Sequence, residues 1–272
     1  MPFRPHADWL LLYATPGEAA HVHSALTGIR TTTIAGLRFT QGRAGRQRVV
    51  AVATGIGQAN AAFAAGVALA AFNVKQVLNF GIAGGYRQDD WQIGEVARGT
   101  IFGLGDEGVS GPGGWQDLGA IGIPLIAQSK NRSTRCAAFN RIPVQPVALS
   151  RTSLRNFSES HMSIRSAGIL TVATCSGTGT RAQTMRRRAA GLAAHASESR
   201  LPWVEDMETA AIALACVRAG KTLLALRGIS NQAGDRNKSR WDIPAAARAA
   251  QAAAWLAVTG RELESLGGNS RS

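Results

Sequence analysis

Cysteine is scarce: Cys136, Cys175 and Cys216 stand far apart, with no CxxC pair and no nearby histidine to complete a zinc set. Free thiols in a reducing compartment are expected, with no disulfide framework. The five histidines fall into no HExxH-like pattern, so neither a metal nor a cofactor is implied. Long apolar runs are missing as well. No stretch reaches the roughly 18 uninterrupted apolar residues of a membrane helix, and the run at residues 9–14 is too short and wrongly flanked for a signal peptide. A cytoplasmic location without membrane contact is the expectation. Acids are also few: 17 Asp and Glu face 30 Lys and Arg, a net charge of +13. Such an excess suits phosphate-rich partners, yet the cations are scattered and no aromatic-interleaved stacking motif accompanies them. The one run, Arg186, Arg187 and Arg188, falls on an expected helix as a solvated face. Nucleic acid is therefore not an expected partner, whereas a small anionic molecule suits the balance.

What is present in quantity is short aliphatic runs punctuated by glycine. Residues 9–14 (WLLLYA) and 47–53 (QRVVAVA) read as buried strands. An alanine-rich helix follows at about 58–72, then a strand at 75–80 (KQVLNF) that runs into Gly81-Ile82-Ala83-Gly84-Gly85. Strand, glycine turn, helix and strand make a βαβ unit. Further strands are expected at 93–103, 169–175 and 222–229, with helices at 181–195, 207–219 and 244–266. This alternation predicts one α/β domain over residues 8–266, with a central mixed, mostly parallel twisted sheet flanked by helices. Residues 128–168 break the rhythm, with seven basic residues against the single acid Glu159, and read as an irregular insert. The tail 267–272 is expected to be disordered.

In open α/β sheets the ligand crevice lies beyond the carboxyl ends of the strands. Four clusters fall at such ends: Thr15-Pro16-Gly17-Glu18, Gly55-Ile56-Gly57, residues 81–85, and Arg227-Gly228-Ile229-Ser230-Asn231. The acidic Glu205-Asp206-Met207-Glu208 opens a helix beyond another strand-like approach. Glycines after strands ordinarily make tight turns, and carboxylates at a helix start are favoured by its dipole without further function. Arg227 is different. It follows the apolar run LLAL at a buried sheet position, where an unpaired charge costs several kcal/mol, so it requires an anionic partner.

As an ordered set these segments resemble the nucleoside phosphorylase and nucleosidase superfamily, whose fold is a three-layer single domain. VEDMETAAIALAC, residues 204–216, is similar to the stretch in which a Met packs on the ribose and a Glu accepts bonds from its hydroxyls, which points to Met207 and Glu208, with Asp206 beside them. ATPGEA, residues 14–19, resembles the loop whose glutamate is the nucleosidases' general acid/base, here Glu18. RGISN, residues 227–231, stands where the family has RAISD, so the resemblance implies that Arg227 helps to hold the attacking water. Gly81 to Gly85 match the glycine loop under the ribose, and Ile82, Ala83 and Gly84, with Gly55, are expected to bind the substrate. The ATPGEA loop and residues 104–124 and 227–243 draw the likeness toward the futalosine hydrolases. Relatives of this kind are usually homo-oligomers, act on a small-molecule nucleoside and need no cofactor.

Two departures stand out. Asn231 occupies the place of an aspartate that assists protonation of adenine at N7; an amide can donate a hydrogen bond there but supplies no proton. Either Asn231 or Asp235 then serves the leaving base. Ile82 replaces a serine near the water. The alternatives are a methylthioadenosine/S-adenosylhomocysteine nucleosidase, a phosphorylase, and a nucleoside-binding module without catalysis. Phosphorylases typically carry GDPxR in the first loop, where this chain has TPGEA and no arginine.

Overall fold

A computed structural model of the chain describes residues 4–127, 137–149, 155–157 and 159–263. Eleven strands and five helices are described. Nine strands form one sheet: β1 (His6–Tyr13), β2 (Thr27–Ile34), β3 (Leu37–Ala44), β4 (Gln47–Ala53), β5 (Asn73–Gly85), β6 (Val96–Leu104), β9 (Ile164–Thr171), β10 (Trp203–Asp206) and β11 (Thr222–Gln232). The remaining pair, β7 (Gly108–Gly111) and β8 (Gly114–Asp117), makes a separate hairpin. The order in the large sheet is β10-β9-β6-β11-β5-β1-β4-β3-β2. β11, β5, β1 and β4 run parallel at its centre, while β6–β11, β4–β3 and β3–β2 are antiparallel. β10 also pairs with the end of β5, Val204 with Gly85 and Glu205 with Gly84. The ring β5-β11-β6-β9-β10 is thereby closed, so half of the sheet curls into a small barrel.

Two-sided burial explains why the central strands carry apolar stretches such as residues 9–13 and 223–226. In β1, Leu10 and Leu12 pack into one core layer while Trp9, Leu11 and Tyr13 pack into the other, as the two-residue side-chain period requires. Helices α2 (Gln58–Ala71) and α4 (Thr209–Ala219) cover the first face. The two helices pack against each other, and both bring small side chains to this core, Ala61, Ala65 and Ala68 from α2 and Ala210 and Ala211 from α4. The other face is covered by α1 (Ala20–Ala25) and α5 (Ile243–Thr259), and α3 (Gly179–Ala190) packs outside β9 around Trp203. The result is the three-layer arrangement expected, with helices on both faces of a mixed sheet.

Several boundaries differ from the sequence reading. The glycine segment 81–85 is not a turn but the last stretch of β5. None of its glycines has positive φ. They provide space: a Cβ at Gly85 would stand 2.6 Å from Trp91, and one at Gly81 would strike the charged groups described below. The closing helix stops at Thr259 rather than 266, because Gly260 adopts φ 68° and its N–H caps Leu256 O. The strand expected at 169–175 begins at Ile164, inside the expected insert. Residues 137–149 of that insert are bound to the sheet by Asn140, which is buried, accepts from Leu118 N and donates to Leu104 O and Glu107 O. The tail 267–272 and Cys136 lie outside the described residues. Among the described residues no helix is long and apolar enough to cross a membrane.

Candidate active site

Glu18 lies in the 3-10 turn Pro16–Ala19 that follows β1, and is 6% exposed. Its Oε2 accepts from the Thr15 backbone N–H at 2.8 Å and the Thr15 hydroxyl at 3.3 Å, which closes a capping box. Oε1 accepts from the Ile82 N–H at 3.1 Å. Three donors therefore fix the carboxylate across two strand ends that are 64 residues apart in sequence.

Arg227 is fully buried in β11, and its anionic partner is Asp206, 2.7 Å from Nη2. The same Nη2 donates to Asn79 Oδ1 at 2.6 Å and to Thr209 Oγ1 at 2.8 Å, while Nε donates to Thr209 Oγ1 at 3.1 Å. Among the described residues Nη1 has no hydrogen-bond partner. A Cβ on Gly81 would stand 2.4 Å from this Nη1 and 2.6 Å from Glu18 Oε1. The two atoms are thus no farther apart than the sum of those distances, and they converge over a residue with no side chain. An ionisable acceptor and an unsatisfied cationic donor share one small space.

Glu208 stands at the N-cap position of α4, 6% exposed. Its Oε1 accepts from the Gly57 N–H at 2.9 Å, and Oε2 lies 3.8 Å from Arg227 Nη2. Burial raises the carboxyl to about 7, against the pull of Arg227, and the charges of Asp206 and Glu18 push in the same direction as burial. Met207, between β10 and α4, is the one partly exposed residue in an otherwise buried run from Trp203 to Ala213.

The other expected residues take the following places. Asp206 does not present its carboxylate to a ligand. It is the last residue of β10, its side chain has no exposure, and its oxygens accept from Thr171 Oγ1 at 2.6 Å, from Thr209 N at 3.0 Å, from the Thr209 hydroxyl and from Arg227. It holds Arg227 and caps α4. Glu205 is likewise not a first-turn acid: from within β10 it accepts from Ser176 N at 2.7 Å, Ser176 Oγ at 2.6 Å and Tyr86 OH at 3.1 Å. Gly55 donates its N–H to Ala14 O, and Gly57 is the glycine that reaches Glu208. Ala83 is buried in the core, its carbonyl accepting from Ser230 Oγ; Ile82 enters the site through its backbone N–H. Gly84 pairs with Asn231 on one side and Glu205 on the other.

Asn231 follows a bulge in β11, where the register shifts between Ile229 and Asn231. Bulges re-aim side chains next to sites. Its Oδ1 accepts from Ser230 Oγ at 2.8 Å and its amide donates to Gln232 O at 2.9 Å. Asp235 lies in the turn beyond, its carboxyl held below the ordinary range by the Asn237 N–H and Arg240. It is tied to that turn and makes no described bond to Asn231.

Residues that the sequence reading did not single out complete the site. Asn79, Thr171 and Thr209 are buried polar side chains that join β5, β9 and α4 to the Arg227–Asp206 pair. Asp106 grips the segment after β9: it accepts from Ala173 N at 2.7 Å and Thr174 N at 3.2 Å and pairs with Arg181 at 2.9 Å. This segment carries Cys175, an exposed residue whose thiol is raised by partial burial and by the charges of Glu205 and Glu208. Among the described residues no group of His, Cys, Asp and Glu is arranged to hold a metal ion.

Known nucleosidases are among the proteins that this chain resembles. The chain is 31% identical over 255 residues to the futalosine hydrolase of Acidothermus cellulolyticus, covering 90% of this chain and 91% of that one. It is 28% identical over 233 residues to the 5'-methylthioadenosine/S-adenosylhomocysteine nucleosidase of a Marinomonas species, covering 85% and 89%. The crystal structure of the corresponding nucleosidase from Colwellia psychrerythraea in complex with adenine shares the fold, with a TM-score of 0.73 at 21% identity, over 98% of this chain and 100% of that one. Residues 9–259 match the Phosphorylase superfamily, and the chain belongs to it.

Proposed function

We propose that the chain is a nucleosidase that hydrolyses the N-ribosyl bond of futalosine, releasing hypoxanthine and dehypoxanthine futalosine in menaquinone biosynthesis, as a cytoplasmic homo-oligomer. The observation that carries this reading is the convergence of Glu18 Oε1 and the unpartnered Arg227 Nη1 over Gly81. A water placed there donates to the carboxylate and accepts from the guanidinium. Its oxygen attacks the anomeric carbon as the bond to the purine nitrogen breaks; one proton of the water passes to Glu18 and the other stays on the new ribose hydroxyl, while the purine takes the bond's electron pair and a proton from solvent, to which Glu18 later returns its own. General-base assistance of this kind is worth roughly 10²- to 10⁴-fold.

Glu208 accepts hydrogen bonds from the ribose hydroxyls and sets negative charge beside a sugar that becomes cationic in the transition state. Met207 packs on the sugar, and Gly55, Ile82 and Gly84 lie under it. Asn231 donates to the base edge. A 6-oxopurine leaves with different hydrogen-bonding demands from adenine, and an amide serves it without providing a proton.

Two features support hydrolysis over phosphorolysis. The other donors of Arg227 are occupied by Asp206, Asn79 and Thr209, so only the Nη1 amino group, with two N–H bonds, is left to face the site, fewer donors than a phosphate dianion calls for. The Glu18 carboxylate beside it repels a second anion. Incubation of the purified protein with futalosine, inosine and methylthioadenosine, with and without phosphate, tests the reading. Hypoxanthine from futalosine in phosphate-free buffer is the expected result; release that requires phosphate, or that favours methylthioadenosine, contradicts it.

A further inference from the structure

The loop that leaves β11 and enters α5 returns to its starting point. Asp242 N donates to Ser230 O at 2.9 Å, and Gly234 N donates to Ser176 O at 3.1 Å, so both ends of the loop are clasped beside Asn231 and the segment that carries Cys175. Within it, Trp241 is half-buried and its Nε1 donates to Asp235 O at 3.0 Å, which sets the plane of the indole. The Arg236 guanidinium lies 5.1 Å from the centroid of that ring. Both carboxylates of the loop are engaged elsewhere: Asp235 with Arg240 and the Asn237 N–H, Asp242 with the Ala245 N–H at the start of α5. Among the described residues no carboxylate pairs with Arg236. Beside a site built around buried acids, the loop thus holds an ordered, exposed cation on an aromatic plate.

We infer that Arg236 and Trp241 form the subsite for an aromatic carboxylate carried at the far end of the nucleoside, which makes them specificity-determining residues of this site. The inference rests on the futalosine reading above, futalosine being a nucleoside that carries a benzoate, and names the residues that hold that benzoate. The chemistry fits on two counts. A guanidinium offers a planar fork of donors that matches the two oxygens of a carboxylate, and an indole already fixed by its own hydrogen bond stacks an aryl ring at little further entropic cost. The cation also keeps the substrate's negative end away from Glu18 and Glu208, where it would be repelled.

The test compares kcat/KM for futalosine, inosine and inosine 5'-monophosphate in the wild type and in Arg236→Gln, Arg236→Lys and Arg240→Gln. For Arg236→Gln the futalosine-to-inosine ratio falls about ten- to hundredfold, mostly through KM, as expected for loss of a charge-assisted hydrogen bond. Lysine keeps the charge without the planar fork and recovers only part of the ratio. Arg240→Gln removes the same charge from the same loop and shifts the ratio less than about twofold. An unchanged ratio in folded Arg236→Gln overturns the inference. A fall in the monophosphate-to-inosine ratio as large as that for futalosine overturns its aromatic part, since a general anion site would do the same. A wild type that hydrolyses inosine but not futalosine overturns the futalosine reading itself, and this inference with it.

Discussion

Arg227 Nη2 lies 2.7 Å from Asp206 Oδ2, with neither side chain exposed to solvent. The pair joins the centre of β11 to the end of β10, and Asn79, Thr171 and Thr209 satisfy the rest of its polar surface. One nitrogen, Nη1, has no partner among the described residues. Because the remaining donors are occupied, this one has a fixed direction, a condition for preorganised catalysis.

Breaking this pair strands a buried charge. Arg227→Met is expected to lower unfolding free energy by about 3–5 kcal/mol in urea, and Arg227→Met combined with Asp206→Asn by clearly less than the two single effects summed. Additive losses would mean that the two side chains do not depend on each other.

Gly81 has no side chain because Arg227 and Glu18 fill the space where one would stand. Gly81→Ala pushes both groups aside, and a displacement of about 1 Å at the reacting atoms is expected to lower kcat by at least about a hundredfold. Steady-state kinetics on the folded variant check this. A variant with wild-type kcat would place the water elsewhere.

The raised carboxyl of Glu208 makes stability depend on pH. Between its ordinary value of 4.5 and the folded value of about 7 the unfolded chain has released a proton that the folded state retains. In that window rising pH therefore favours unfolding, and the contribution of this group to stability falls. Glu208→Gln removes the effect. Denaturation at pH 5 and pH 8 should show the variant gaining stability relative to the wild type at the higher pH; a difference that stays constant would deny the shift.

Asp106 and Arg181 together hold residues 173 and 174, the approach to Cys175. Asp106→Ala leaves two backbone N–H groups without their acceptor. In a Cys136→Ser background, labelling of Cys175 by a maleimide at neutral pH should be faster in Asp106→Ala than in its parent. Equal rates would show that the segment keeps its place without the clamp.

The sheet centre could be read directly from the sequence because burial on both faces makes residues 9–13 of β1, 49–52 of β4 and 223–226 of β11 continuous apolar runs. The need of Arg227 for an anion followed from the same logic, since a charge within LLALR has no solvent. The identity of its partner did not: Asp206 looks like a helix-start acid, and only the pairing of β10 with β9 and β5 brings it beneath Arg227. The glycines at 81–85 were misleading for a related reason. A glycine required by a close neighbour looks, in one dimension, like a glycine required by a turn. β2 and β3 lacked a signal because β2 is mostly exposed and rich in threonine, so no apolar alternation marks it. Asn79 and Thr209 are ordinary polar residues until the fold joins them to the buried pair.

Replacement of Glu18 by Gln tests the proposed chemistry most directly, because the amide keeps the size of the side chain and loses its capacity to take a proton. Single-turnover hydrolysis of futalosine by Glu18→Gln, with binding of the intact nucleoside measured in parallel by calorimetry, separates chemistry from affinity. The expected result is binding within a few-fold of wild type and a rate lower by about 10²- to 10⁴-fold. Hydrolysis at the wild-type rate would contradict the assignment of Glu18 as the base and, with it, the placement of the water over Gly81.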